Sequence, residues 1–216
     1  MWERKIKDNQ LNHFPFPHFL FRSFCFYKTP MNRIKILISL LVLMPLLTTG
    51  ISSSAQGAQS TRLKILVVHG PNLNLLGRRE PNIYGVTTLP QINEQLNKLA
   101  AELSVELLIV QSNHEGVIVD TFHKYIDEAQ GAVINPAGLS FHSVALHDAI
   151  KAMPFPVIEA HISNLGTRDA IHQGSIITPA VRASIMGLGW RSYTAGLRAL
   201  VEIVREEKAA KEGAKK

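Results

Sequence analysis

Glu159 and His161 stand two residues apart in an apolar run, 156–162, that reads as a strand. Side chains two apart on a strand share a face, so a carboxylate and an imidazole are expected side by side. A carboxylate in that position orients the ring and favours its protonated form, which suits a general acid. A second group of polar side chains, Asn72, Arg78, Arg79 and Tyr84, lies within the seventeen residues between His69 and Thr87. Tyr84 is a weak base at the ordinary phenol pKa of about 10, and a guanidinium beside it favours the tyrosinate. A tyrosinate base with an imidazolium acid can take a proton from the carbon next to a carbonyl and expel hydroxide. Asn72, or a water it holds, is placed to hydrogen-bond the enolate oxygen that develops. The chemistry these residues suggest is a dehydration that needs no cofactor. Each feature also has a structural reading: a surface loop turned by Gly and Pro, a tyrosine packing that loop, a salt-linked histidine on a sheet rim.

The other chemistries the residues could support are poorly represented. There is no Gly-Lys-Ser/Thr phosphate loop, and Gly187-Leu188-Gly189 is only half of a dinucleotide fingerprint, placed at the last strand. No His-x-x-x-His pair or cysteine cluster suggests a metal, and no Gly-x-Ser-x-Gly elbow suggests a serine nucleophile.

The elements that must position these groups follow from hydrophobic periodicity. Strands are expected at 63–68, 105–110, 132–134, 156–162 and 183–186, with helices at 89–103, 117–129, 143–153 and 191–207. The segment 163–178 reads as a loop with one helical turn. Near-continuous apolar strands alternating with helices imply a parallel sheet covered on both faces, an α/β flavodoxin-like doubly wound arrangement of five strands. Right-handed crossovers put the strand exits on one edge, where open α/β sheets bind ligands. Asn72, Arg79 and Tyr84, then Asn113 and Glu115, then Asn135, then Glu159, His161 and Ser163 all fall at such exits, so the expected ligand is a small polar molecule.

The N-terminal quarter is a different kind of sequence. Residues 1–30 are rich in Phe and hold Cys25, the only cysteine. From Met31 a short basic start, an apolar run at 36–47 and small residues ending near Ala55 follow the order of a secretory signal peptide. That apolar run is short for a membrane span of about 20 residues. The expected organisation is a leader over 1–58, with 1–30 an upstream extension and 31–55 the signal peptide, and one domain over 59–216. Export to the periplasm or the medium follows, with no stable membrane association once the leader is cleaved; an uncleaved membrane anchor is the alternative. Seven of the 23 basic residues and two of the 17 acidic ones lie in 1–55, leaving sixteen against fifteen. The net charge of +6 is therefore no argument for nucleic acid.

The blocks Gly70-Pro71-Asn72-Leu73-Asn74-x-Leu76-Gly77-x-Arg79-Glu80-Pro81-x-x-Tyr84-Gly85, Gln111-Ser112-Asn113-His114-Glu115-Gly116, Ile134-Asn135-Pro136, Ser143-Val144-Ala145-Leu146-x-Asp148-Ala149 and Glu159-x-His161-Ile162-Ser163-Asn164 occur in that order. Together they resemble the type II 3-dehydroquinate dehydratases, over about residues 63–205. The resemblance implies a flavodoxin-like fold, a dodecamer built from trimers, and dehydration of 3-dehydroquinate through an enolate without metal or cofactor. Tyr84 would match the proton acceptor, His161 the proton donor and Arg79 a charge-stabilising group on a mobile lid, with Asn72 and Glu159 in support. Asn135, Ile162, Ser163 and Asp148 would match substrate contacts, Asp148 in a neighbouring subunit's site. Two positions depart from the pattern. Phe141 stands where a substrate-binding His is expected, and His172 stands where the second of two arginines is expected after Arg168. Both alter the end of the site that would bind substrate hydroxyls. The sequence therefore also admits a dehydratase for a related keto acid with fewer hydroxyls, or a ligand-binding protein without turnover.

Overall fold

The computed structural model describes residues 62–214; the leader and its cleavage site lie outside them. Five strands, β1 Lys64–His69, β2 Glu106–Gln111, β3 Gly131–Asn135, β4 Val157–His161 and β5 Ala183–Met186, form one sheet in the order β2-β1-β3-β4-β5. All four pairings are parallel. This is the flavodoxin-like doubly wound sheet expected. From β1 the chain crosses to β2 on one side and later returns to β3 on the other, so the switch point lies between β1 and β3.

Alternation along β1 divides the core. Ile65 and Val67 pack with the buried face of α2 (Leu89–Glu102) and with α5 (Arg191–Gly213), whereas Leu66 and Val68 pack toward α3 (Glu115–Lys124) and α4 (Val144–Lys151). The start of α2 is fixed by a capping box: the Thr88 backbone N–H donates to Gln91 Oε1 at 2.9 Å while the Thr88 side chain accepts from Gln91 N. Leu89, Ile92, Leu96 and Leu99 form its buried stripe. Gly196 lets α5 close onto the sheet, since a Cβ there would stand 3.1 Å from Ile158 Cγ2.

Two helix ends and one loop differ most from the periodicity. Helix α3 runs Glu115–Lys124 rather than 117–129, because Tyr125 leaves helical dihedrals and a turn carries the buried Ala129 into the core. Helix α5 continues to Gly213, six residues past the expected 207, through a Lys/Ala/Glu stretch of good helix formers. The 163–178 segment holds two short 3-10 turns, Leu165–Thr167 and Ala170–His172, and a third, Thr178–Ala180, begins at its end. No helix among the described residues is long and apolar enough to cross a membrane.

Candidate active site

The β1 exit meets the β3 exit at Gly70, whose N–H donates to the Asn135 carbonyl at 2.8 Å. A Cβ at this position would stand 2.5 Å from the Pro136 carbonyl oxygen, so only glycine allows the approach. Beyond it, buried Leu73 and Leu76 pin the long loop to the core. Asn72 between them and β1 adopts φ 64° and receives the side chain of Asn113, which accepts its N–H at 2.9 Å. Ala137, after β3, also has positive φ, 51°, and its N–H donates to Asn135 Oδ1 at 3.1 Å. Left-handed backbone at residues other than glycine costs on the order of 1–3 kcal/mol. Here it holds two positions that line one cavity.

That cavity, about 150 Å³, opens at the carboxyl ends of β1, β3 and β4. It is small beside the roughly 300–1,000 Å³ of sites for drug-sized ligands, and suits a compact molecule. Of the residues expected at the site, Asn72, Arg79, Tyr84, Asn135, Phe141, His161, Ile162, Ser163 and His172 line it. Two do not. Glu159 is fully buried behind His161, and Asp148 is exposed on α4, where its carboxylate meets His147 Nδ1 at 3.0 Å. Arg168 lines the cavity as well, although the sequence reading gave it no catalytic part.

Tyr84 ends a single helical turn, α1 Pro81–Tyr84, that Pro81 starts. Its hydroxyl accepts from Arg168 Nη1 at 3.1 Å and from Arg79 Nη2 at 3.4 Å. The guanidinium carbons lie 5.4 and 4.8 Å from its ring centre. Arg79 also binds Glu80 at 3.0 Å, and Arg168 also donates to Ser163 Oγ at 3.2 Å. Two guanidiniums therefore donate to the one phenol oxygen. Arg78, the other arginine of the loop, is exposed and does not line the cavity.

His161 and Glu159 meet as their spacing on the strand requires, with Nε2 2.8 Å from Oε1. A carboxylate only accepts, so Nε2 carries the proton and Nδ1 remains for the cavity. Ser175 Oγ donates to Glu159 Oε1 at 2.6 Å and Thr178 Oγ1 to Oε2 at 2.5 Å. Burial is the largest single influence on the Glu159 carboxyl and pushes its pKa up. Hydrogen bonding and charge from His161, with the two hydroxyls, outweigh it and hold the carboxyl below the ordinary value.

No carboxylate lines the cavity, while two arginines do. The arrangement suits an anionic small molecule, with a phenol and an imidazole presented to it. Among the described residues no group of three or more His, Cys, Asp or Glu side chains is placed to hold a metal ion.

The family model for dehydroquinase class II matches residues 63–201. A 3-dehydroquinate dehydratase of Caldicellulosiruptor saccharolyticus is 49% identical over 142 residues, covering 65% of this chain and 98% of that protein. One from Halothermothrix orenii is 45% identical over 143 residues, covering 66% and 97%. The crystal structure of type II dehydroquinase from Propionibacterium acnes superposes with a TM-score of 0.63 at 36% identity, covering 65% of this chain and 99% of that one.

Proposed function

This chain belongs to the class II dehydroquinase family, and from that membership we propose that it removes water from 3-dehydroquinate to give 3-dehydroshikimate. The observation that carries the reading is the Tyr84 hydroxyl accepting from two guanidiniums in the cavity that His161 also lines. Tyr84, as the phenolate, takes the proton from the carbon beside the ketone. The electron pair moves into the carbonyl, and Asn72, directly or through water, hydrogen-bonds the resulting enolate oxygen. The enolate collapses, the carbon–oxygen bond to the tertiary hydroxyl breaks, and the imidazolium of His161 gives that hydroxyl its proton, so it leaves as water. Exchange with solvent returns the proton from Tyr84 and reprotonates His161. Arg79 and Arg168 stabilise the phenolate and attract the substrate carboxylate. Asn135, Ile162 and Ser163 contact the substrate, and Glu159 holds the His161 ring.

Solvent deuterium separates the two proton transfers. In deuterium oxide a His161→Asn variant is expected to exchange the substrate proton beside the ketone while forming almost no product, and Tyr84→Phe is expected to do neither. Exchange that persists in Tyr84→Phe would take the base role from Tyr84.

A second reading has one observation in its favour. Phe141 and His172 line the cavity together, their rings edge to face with centroids 5.4 Å apart, and His172 Nδ1 is occupied by Asp169 at 2.8 Å. A wall of that kind offers few hydrogen bonds, which favours a related keto acid with fewer hydroxyls. Comparing kcat/KM for 3-dehydroquinate with that for a deoxy analogue decides between them.

The signal-peptide pattern at 31–55 supports export and a catabolic role on quinate-derived material, which N-terminal sequencing of protein recovered outside the cytoplasmic membrane tests. Exposure of Asp148 away from its own cavity supports a dodecamer in which it serves a neighbour's site; native mass spectrometry reads the copy number.

A further inference from the structure

We propose that Ser175 and Thr178 are positioning residues for the acid of this site: their hydroxyls clamp the buried Glu159 carboxylate and, through it, hold the His161 ring ready to donate. The inference rests on His161 being the proton donor of the proposed dehydration. It begins with a local turn. Ser175 Oγ accepts the N–H of Ile177 at 3.1 Å, and Ile177 is fully buried against the α3 and α4 side of the core. The bond engages a lone pair of Ser175 Oγ and leaves its single hydrogen for Glu159. Thr178, next along the chain, opens a 3-10 turn and brings a second hydroxyl to the other oxygen of the same carboxylate. Both oxygens are therefore engaged, Oε1 by His161 and Ser175, Oε2 by Thr178.

The groups that face Glu159 are few. On its own strand there is His161, and from the following segment come the two hydroxyls. Its register neighbours, Ile134 on β3 and Ser184 on β5, are uncharged. Two opposing influences then decide whether Glu159 is ionised. Burial favours the neutral acid, and three hydrogen-bond donors favour the carboxylate. A protonated Glu159 gives His161 no anionic partner, so an imidazolium there loses its support. Arg168 and His172 lie on the same stretch of chain and line the cavity, so one segment serves both the substrate pocket and the buried carboxylate.

The test compares kcat against pH for 3-dehydroquinate in the wild type and in Thr178→Val, Thr178→Ser and Ser175→Ala. Alongside it, the ionisation of Glu159 is read from its carboxyl carbon in a 13C-labelled sample, assigned with Glu159→Gln. Each lost hydroxyl removes one hydrogen bond to the carboxylate and should move the midpoint of Glu159 up by about one pH unit or more. The acid limb of kcat should follow. Thr178→Ser, which keeps the hydroxyl, should leave both midpoints in place. Should Thr178→Val not fold, Ser175→Ala carries the same comparison. Equal shifts in Thr178→Val and Thr178→Ser, or no shift in Thr178→Val and Ser175→Ala, would overturn the proposal. The carboxyl titration does not need turnover, so a wild type inactive on 3-dehydroquinate would remove the proposed reaction while the clamp was still judged on its own.

Discussion

Between pH 6.5 and pH 4 the fold should lose about 3 kcal/mol through one side chain, His69. This residue ends β1 and is fully buried. Its Nε2 lies 2.9 Å from Asn93 Oδ1 and its Nδ1 2.9 Å from the Tyr193 hydroxyl. The amide oxygen accepts, so Nε2 carries the proton and Nδ1 accepts from the tyrosine. A second proton on Nδ1 would displace that donor. Burial lowers the pKa of His69 from 6.5 to about 4, and the bond to Asn93 opposes this without reversing it. A shift of that size, about 2.5 pH units at about 1.36 kcal/mol each, is worth about 3 kcal/mol. Because the folded pKa lies below the unfolded one, the unfolded chain binds the extra proton first as pH falls. Stability from this source is therefore whole above about pH 6.5, declines down to about pH 4, and is level below that. Urea denaturation of the wild type and of His69→Asn, from pH 7 to pH 4, isolates it. Asparagine keeps an acceptor near Nδ1 and does not titrate, and contributions from other groups such as Glu159 cancel in the difference. The wild type should lose about 3 kcal/mol relative to the variant over this range. Parallel curves would refute the claim that His69 is held neutral by burial.

Other substitutions test the frame and the site. Gly70→Ala drives a methyl into the Pro136 carbonyl at the switch point, so a sharply lower melting temperature, or loss of soluble protein, is expected. Thr88→Ala removes the cap of α2 and should cost about 1 kcal/mol in urea denaturation with kcat unchanged. Arg168→Lys keeps the charge, but an ammonium on a shorter stem does not reproduce the Nη1 that donates to both Tyr84 and Ser163, so kcat should fall at least about tenfold, from the loss of one charged hydrogen bond of about 1.5–3 kcal/mol.

Much of this molecule was legible because burial writes itself into strands and helix faces. The runs at 65–68 and 132–134 are apolar on both faces because helices cover both, and Thr88 with Gln91 marks the start of α2. The end of α3 was not legible: Tyr125, Ile126 and Ala129 keep helical spacing, yet the chain turns there. At the site, Glu159 and His161 could be paired from a two-residue interval on one strand. Arg168 reaches Tyr84 across 84 residues of sequence through a segment of 3-10 turns, which has no periodicity to announce it. Ser175 and Thr178 were missed for the same reason, since a hydroxyl turned inward reads like one turned outward. Asp148, expected to serve a neighbouring subunit's site, stands on an exposed helix face away from this chain's own cavity.

The central claim is that Tyr84 and His161 dehydrate 3-dehydroquinate. It is tested most directly by incubating the purified protein with 3-dehydroquinate and following the absorbance of the conjugated enone, with Tyr84→Phe beside it. Steady product formation is expected from the wild type, and near-complete loss of it in Tyr84→Phe, with the variant folded. No product from folded wild type, or undiminished product from Tyr84→Phe, would contradict it.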